Sequence, residues 1–77
     1  APSMKEHEFR SLPLGIYQKE VLRTIGAPLG TRLCPENQVC WDYSRNANSD
    51  ANYYFRVLVF DANKRLVSRH MGYNLGD

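Results

Sequence analysis

The stretch Leu12–Pro28, LPLGIYQKEVLRTIGAP, constrains the fold of this chain more than any other, because it spells a short helix with a signal at each end. Gly15-Ile16 leads in, Tyr17 stands at the cap, Val21, Leu22 and Ile25 supply a buried stripe, and Gly26-Ala27-Pro28 closes the element. Gly26 can take the left-handed conformation that ends a helix, and Pro28 cannot continue one. Ile16 and Val21 have the spacing of a hydrophobic staple. Glu20 suits the positive end of the helix dipole. Tyr17 is a poor cap, since its hydroxyl is too remote to accept from the first free N–H groups. A helix this short is marginal alone, because nucleation is costly below ~12–15 residues. It must dock on something, and the chain after Pro28 reads as a sheet.

Leu29–Leu33 forms a short first strand suited to an edge. Pro35-Glu36-Asn37-Gln38 is turn chemistry: proline fixes φ, and asparagine tolerates the left-handed region. In Val39–Tyr43 the alternation places Val39, Trp41 and Tyr43 on one face and Cys40 and Asp42 on the other, the pattern of a half-buried strand. Ser44–Asn52, SRNANSDAN, contains no branched aliphatic residue and reads as a surface loop. Tyr53–Phe60, YYFRVLVF, is the strongest strand, apolar on both faces except at Arg56, as expected of a central strand or one covered twice. Asp61–Lys64 makes a tight turn in which the Asp61 side chain serves the backbone. Arg65–His70 returns as the last strand, and Met71–Asp77 reads as an irregular tail.

Ahead of the central helix, Ser3-x-x-Glu6 fits a capping box that opens a helix over Met4–Ser11, ended by Pro13. Phe9 and Leu12 should then pack near the second helix. With 77 residues the chain makes one domain, 1–77, near the lower size for a self-sufficient core, with 1–8 and 72–77 as candidate tails. The fold class is α+β: two N-terminal helices on one face of a three- to four-stranded antiparallel meander.

Ten basic and eight acidic residues leave a net charge of +2, spread evenly, without the polybasic run expected of a nucleic-acid binder. The aromatics point the same way. Trp41, Tyr43, Tyr53, Tyr54, Phe55 and Phe60 concentrate in two strands, where only Arg45 and Arg56 could interleave with them as a stacking platform requires. Core packing is the default. No apolar stretch approaches the ~20 residues that cross a bilayer. The start, APSMKEHEF, has neither a basic n-region nor an apolar h-region, which fits a cytosolic protein, a processed secreted one or a trimmed chain.

Candidate chemistry is sparse. His7 and His70 are isolated, and a nucleophilic dyad would need a serine or cysteine held against one of them and a third group to orient it. The carboxylates are scattered, and no pair is placed for acid–base work. Gly15, Gly26 and Gly30 punctuate turns and helix ends and do not form a phosphate loop. No catalytic residue, cofactor site or metal site is assigned. Cys34 and Cys40 flank the first turn, so the topology allows a disulfide across a hairpin. Their C-x₅-C spacing lacks the form of a redox C-x-x-C or a zinc knuckle, and free thiols or metal ligation remain the alternatives.

Leu12-x-x-Gly15-Ile16, Val21, Ile25-Gly26-x-Pro28, then Trp41-Asp42-Tyr43 and Phe60-Asp61 with Leu66, resembles the SmpA/OmlA family, the BamE-like group of small bacterial outer-membrane lipoprotein domains. The resemblance covers Leu12 to Val67. It implies two helices packed on an antiparallel sheet, as in BamE and in proteinaceous β-lactamase inhibitors. It also implies a periplasmic or outer-membrane location in a Gram-negative bacterium, and a protein partner in the outer-membrane assembly machinery. That oxidising compartment favours the Cys34–Cys40 disulfide. The matching positions Gly15, Val21, Gly26, Pro28, Trp41, Tyr43 and Phe60 all have structural explanations, and no family contact residue is carried over. The chain departs from the family at Tyr17, where a Ser or Thr cap is preferred, and no lipid-bearing cysteine occurs near the start of these 77 residues.

The resemblance also sets the phase of the long strand. Leu58 and Phe60 face the helices together with Trp41 and Tyr43, leaving Phe55, Val57 and Val59 on the opposite face, where a solvated sheet usually carries threonine or charge. An apolar row there suggests an interaction surface. The opposing expectations are that the tail, with Tyr73 and Leu75, folds over the row, or that the phase is reversed, for which Arg56 speaks. The function expected is a non-enzymatic interaction module of the cell envelope, accessory to outer-membrane protein assembly or envelope integrity. A homodimer and a peripheral membrane contact are compatible with it. The alternatives are an inhibitor of a secreted enzyme, which would present Tyr and Trp on an exposed sheet face, and a small enzyme, for which the sheet offers little concavity.

Overall fold

The computed structural model describes residues 6–45 and 53–74. Two helices, α1 (Glu6–Ser11) and α2 (Gln18–Ile25), precede four strands, β1 (Gly30–Cys34), β2 (Gln38–Arg45), β3 (Tyr53–Phe60) and β4 (Leu66–Asn74). The strands form one antiparallel sheet in the order β1-β2-β3-β4, a meander with each strand beside its neighbour in sequence.

α2 starts and stops where its residues dictate. Tyr17 is the cap in extended conformation and makes no side-chain capping bond, and Gly26 ends the helix at φ 86° with its N–H donating to the Leu22 carbonyl. Gly15, at φ 92°, makes the turn before it. A residue with a Cβ would be strained at either position. Val21 is fully buried and Ile25 packs against the core, but Leu22, expected in the same stripe, is 44% exposed. Val21 and Ile25 stand one turn apart and share a face, whereas Leu22 is rotated about 100° from Val21 and looks along the sheet. α1 ends at Ser11, ahead of Pro13, and its Phe9, with Leu12 just beyond it, enters the same core as Val21. The proposed capping serine, Ser3, and Met4 lie outside the described residues.

The core sits between the helices and one sheet face. Phe9, Val21, Leu58 and Phe60 have no exposed surface and Leu66 almost none, and Trp41 and Tyr43 complete the cluster. The Trp41 and Phe60 rings lie 4.7 Å apart, tilted, and Phe9 meets Tyr43 edge-on at 6.2 Å. Each of the large side chains contributes about 1.5–3 kcal/mol by leaving water. The Tyr43 hydroxyl donates to the Gly26 carbonyl at 2.8 Å, tying the end of α2 to β2. Arg69 donates to the Leu12 carbonyl at 2.7 Å, tying the segment after α1 to β4.

The connector between the helices is stitched to the start of β4. Gly15 N–H donates to the Leu66 carbonyl, Leu66 N–H to Ile16 and Gln18 N–H to Lys64, at 2.7–3.0 Å. Tyr17 and Arg65 form a bridge at the same place, where the Arg65 guanidinium lies 4.6 Å from the centre of the Tyr17 ring and one of its N–H groups donates to the Tyr17 hydroxyl at 2.6 Å. Tyr17 is therefore a contact between α2 and the β3–β4 turn, which is why a residue that caps poorly occupies the cap.

Several boundaries differ from expectation. β1 runs Gly30–Cys34, one residue later than Leu29–Leu33, and Ser44 and Arg45, expected in a loop, belong to β2. The rest of that loop, 46–52, lies outside the described residues. β4 continues through Met71–Asn74, so 72–74 are strand paired with Tyr53, Tyr54 and Phe55 and not tail, and Glu6–Glu8 are helix. The β3–β4 turn is as read: the Asp61 carboxylate accepts from the N–H groups of Asn63 and Arg65 at 2.9 and 3.0 Å, while Lys64 takes a positive φ.

Candidate functional site

Strand alternation decides which residues face away from the helices, because successive side chains of a strand point to opposite sides. Leu58 and Phe60 enter the core, so Phe55, Val57 and Val59 face the other way. Pairing extends that face across the sheet. Val59 stands beside Cys40 and Ser68, Val57 beside Asp42 and His70, and Phe55 beside Gly72. Arg32 pairs with Cys40 and Cys34 with Gln38, so β1 supplies the outer margin. Arg56 lies half-buried on the helix side, paired with Met71 near the end of the core, so its charge does not reverse the phase of β3.

The result is an open trough of about 810 Å³ with an apolar floor and polar rims. Val59 is 8% exposed, and Val57 and Phe55 are half-buried, although among the described residues no helix covers them. At one end the wall is the Cys34–Cys40 disulfide, whose Cα atoms are 6.0 Å apart across the β1–β2 hairpin. Both cysteines are thus oxidised, and the free-thiol and metal-ligand alternatives do not apply to them. At the other end the Phe55 ring lies over Gly72: a Cβ placed on that glycine would stand 2.9 Å from the ring. The glycine is what lets the aromatic approach β4 so closely.

The rims carry two polar pairs. On the β1 side, Arg32 holds Asp42 through two hydrogen bonds of 3.3 Å and reaches the Cys34 sulfur at 3.5 Å. On the β4 side, His70 Nε2 is 3.2 Å from the Ser68 hydroxyl. A serine beside a histidine satisfies the first condition for a nucleophilic dyad but not the second. Asp42, the carboxylate on the same transverse row, is two strands from His70 and already engaged by Arg32. His7 is exposed on α1, far from this pairing in the sequence and in another layer of the fold.

No family model, curated protein or solved structure matches this chain. The site is therefore read from its own geometry.

Among the described residues no helix is long and apolar enough to cross a membrane, and no group of three or more His, Cys, Asp or Glu side chains is placed to hold a metal. Of the positions singled out in the sequence, Val21, Trp41, Tyr43 and Phe60 meet in the core, Gly15, Gly26 and Pro28 shape α2 and its exit, and Phe55, Val57 and Val59 share the open face. The Arg32–Asp42 and Ser68–His70 pairs were not foreseen, because they join residues only after strand register is known. Gly72 marks a close approach by another group only once its segment is known to be strand. The side chains of Tyr73 and Leu75, considered as a cover for the row, lie outside the described residues.

Proposed function

We propose that this chain is a non-enzymatic protein-interaction module of the bacterial cell envelope, an accessory factor of outer-membrane protein assembly or envelope integrity that engages its partner through the open sheet face. One observation carries the reading: Phe55, Val57 and Val59 line a trough that no described residue covers, on a domain whose core cluster lies on the other side. A small domain rarely keeps such a row without a partner for it. The Cys34–Cys40 disulfide supports an oxidising compartment, and the resemblance to the SmpA/OmlA family supplies the class of partner. The two-helix, four-stranded arrangement is compatible with a BamE-like packing.

The inhibitor reading depends on Tyr and Trp presented on the sheet. Among the sheet residues whose side chains are described, Trp41 and Tyr43 are 7% and 6% exposed, beneath the helices, so neither supports that reading. Catalysis draws no support from Ser68 and His70, which have no orienting carboxylate within reach on their row.

Photo-crosslinking from position 57 in the periplasm tests the proposal. Capture of an outer-membrane assembly component is the expected result. Capture of a soluble secreted enzyme, of a second copy of the chain, or of lipid alone would contradict it.

A further inference from the structure

A second surface lies on the helix side of the sheet, where α2 does not reach β1. Six large apolar residues are conspicuously exposed among the described residues, and three of them, Tyr17, Leu22 and Leu33, lie on this side. Tyr17 and Leu22, both 44% exposed, line a cup of about 440 Å³ whose floor is Trp41. Leu33, 86% exposed, pairs with Val39, so it stands diagonal to Trp41 on the same face, and the core cluster contains no β1 residue. The shelf thus runs from the flank of α2 across Trp41 to Leu33, with β1 bare above and unpaired along its outer edge among the described residues.

The charge lining the cup at the α2 end of this shelf has one sign. Lys19 and Lys64 line the cup, and Arg65 lies against Tyr17 beside it. The neighbouring carboxylates are committed elsewhere: Glu20 to Arg23 at 2.8 Å, and Asp61 to the backbone of its own turn. The helical layer also points to one kind of occupant. α2 is tied to the β3–β4 turn at its start and to β2 at its end, and no β1 residue joins the core cluster. A second helix packed beside α2, at the usual spacing of about 8–10 Å, would extend that layer toward the uncovered β1.

We propose that this shelf docks an amphipathic helix of a partner protein, its apolar stripe on Leu22, Trp41 and Leu33 and its acidic flank toward Lys19 and Lys64. The surface is on the opposite side of the sheet from Phe55, Val57 and Val59, so it stands or falls independently of the function proposed above. A chain with both surfaces would bridge two protein elements.

The test is an NMR titration of the full chain with two synthetic helical peptides that share one leucine stripe, one flanked by glutamates and the other by lysines. The expected result is shifts at Lys19, Leu22, Leu33, Lys64 and the Trp41 indole, with the glutamate peptide binding about tenfold tighter, as two favourable rim charges should give. Lys19→Glu with Lys64→Glu should reverse the preference. Leu33→Ser should weaken both peptides without unfolding the domain, since Leu33 is 86% exposed and outside the core cluster. Equal affinity for the two peptides, shifts confined to the trough face, pairing of the peptide as a strand along β1, or no binding would each overturn the proposal.

Discussion

The two faces of this sheet are built from the same kinds of residue and finished differently. On the helix face, Leu58 and Phe60 are closed over by Phe9, Leu12 and Val21 until nothing of them remains exposed. On the other face, Phe55, Val57 and Val59 are just as apolar and alternate with them along the same strand, yet only the sheet itself, a disulfide and one ring over a glycine shelter them. Alternation alone distributes apolar residues to both sides. What separates core from surface is whether a later or earlier segment arrives to cover them. In the described residues that cover arrives once.

The sharpest test of this difference is a matched pair of truncations. Leu58→Ala should cost about 2–5 kcal/mol, the usual range for a buried leucine that leaves a cavity. Val57→Ala, one residue away on the other face, should cost well under half of that, because the lost side chain was only half-buried. Urea unfolding followed by the fluorescence of Trp41, the single tryptophan, reads both. Equal losses would mean that the open face is a second core.

Removing the disulfide with Cys34→Ser and Cys40→Ser should cost about 2 kcal/mol, from the entropy of so short a loop in the unfolded chain. The sequence separation of 6 keeps the figure small. Thermal unfolding with and without reductant checks it, and the reduced wild type should match the double variant.

Gly72→Ala should cost about 1.5 kcal/mol, since the new methyl group must displace the Phe55 ring. It should leave the Leu58 and Phe60 methyl and ring signals unmoved while shifting those of Phe55 and Val57. A change that spread into the core would show the two faces to be coupled.

The smallest effect belongs to the helix face and appears as a pH dependence. Burial pushes the Tyr43 phenol well above its ordinary range. An acid whose pKa is raised by folding keeps its proton longer in the folded state, so its contribution is complete below the unfolded value of about 10 and is lost as pH rises beyond it. Tyr43→Phe should cost about 1 kcal/mol at neutral pH through the lost bond to Gly26. It should also flatten the fall in stability above pH ~10. Thermal midpoints across that range would show both.

Much of this architecture was legible because its causes are local. The bounds of β3, the cap and stop of α2 at Tyr17 and Gly26, and the service of Asp61 to its turn follow from neighbours a few residues apart. The trough was legible in part, since alternation placed Phe55, Val57 and Val59 on one face once Leu58 and Phe60 were given to the helices. The misreadings share the opposite property. Leu22 was counted as buried because a three-residue stripe fits any short amphipathic helix, and only the width of the sheet decides which two of the three point into it. The extension of β4 to Asn74 depends on pairing with residues nearly twenty positions earlier, and a segment with Gly72 in it carries no strand signal of its own. Tyr17 looked like a defective cap because its partner, Arg65, is 48 residues away.

The most direct measurement compares what the wild type and Val57→Lys retain from periplasmic extract, with the fold of each checked beforehand by amide NMR. Val57 is only half-buried on the open face, beside the Arg32–Asp42 pair, so a lysine there can reach solvent over the rim, and the substitution should spare the fold while closing the apolar trough. The expected result is a folded Val57→Lys that no longer retains an outer-membrane assembly component held by the wild type. A Val57→Lys chain that unfolds as Leu58→Lys does, or one that retains the same proteins as the wild type, would contradict it.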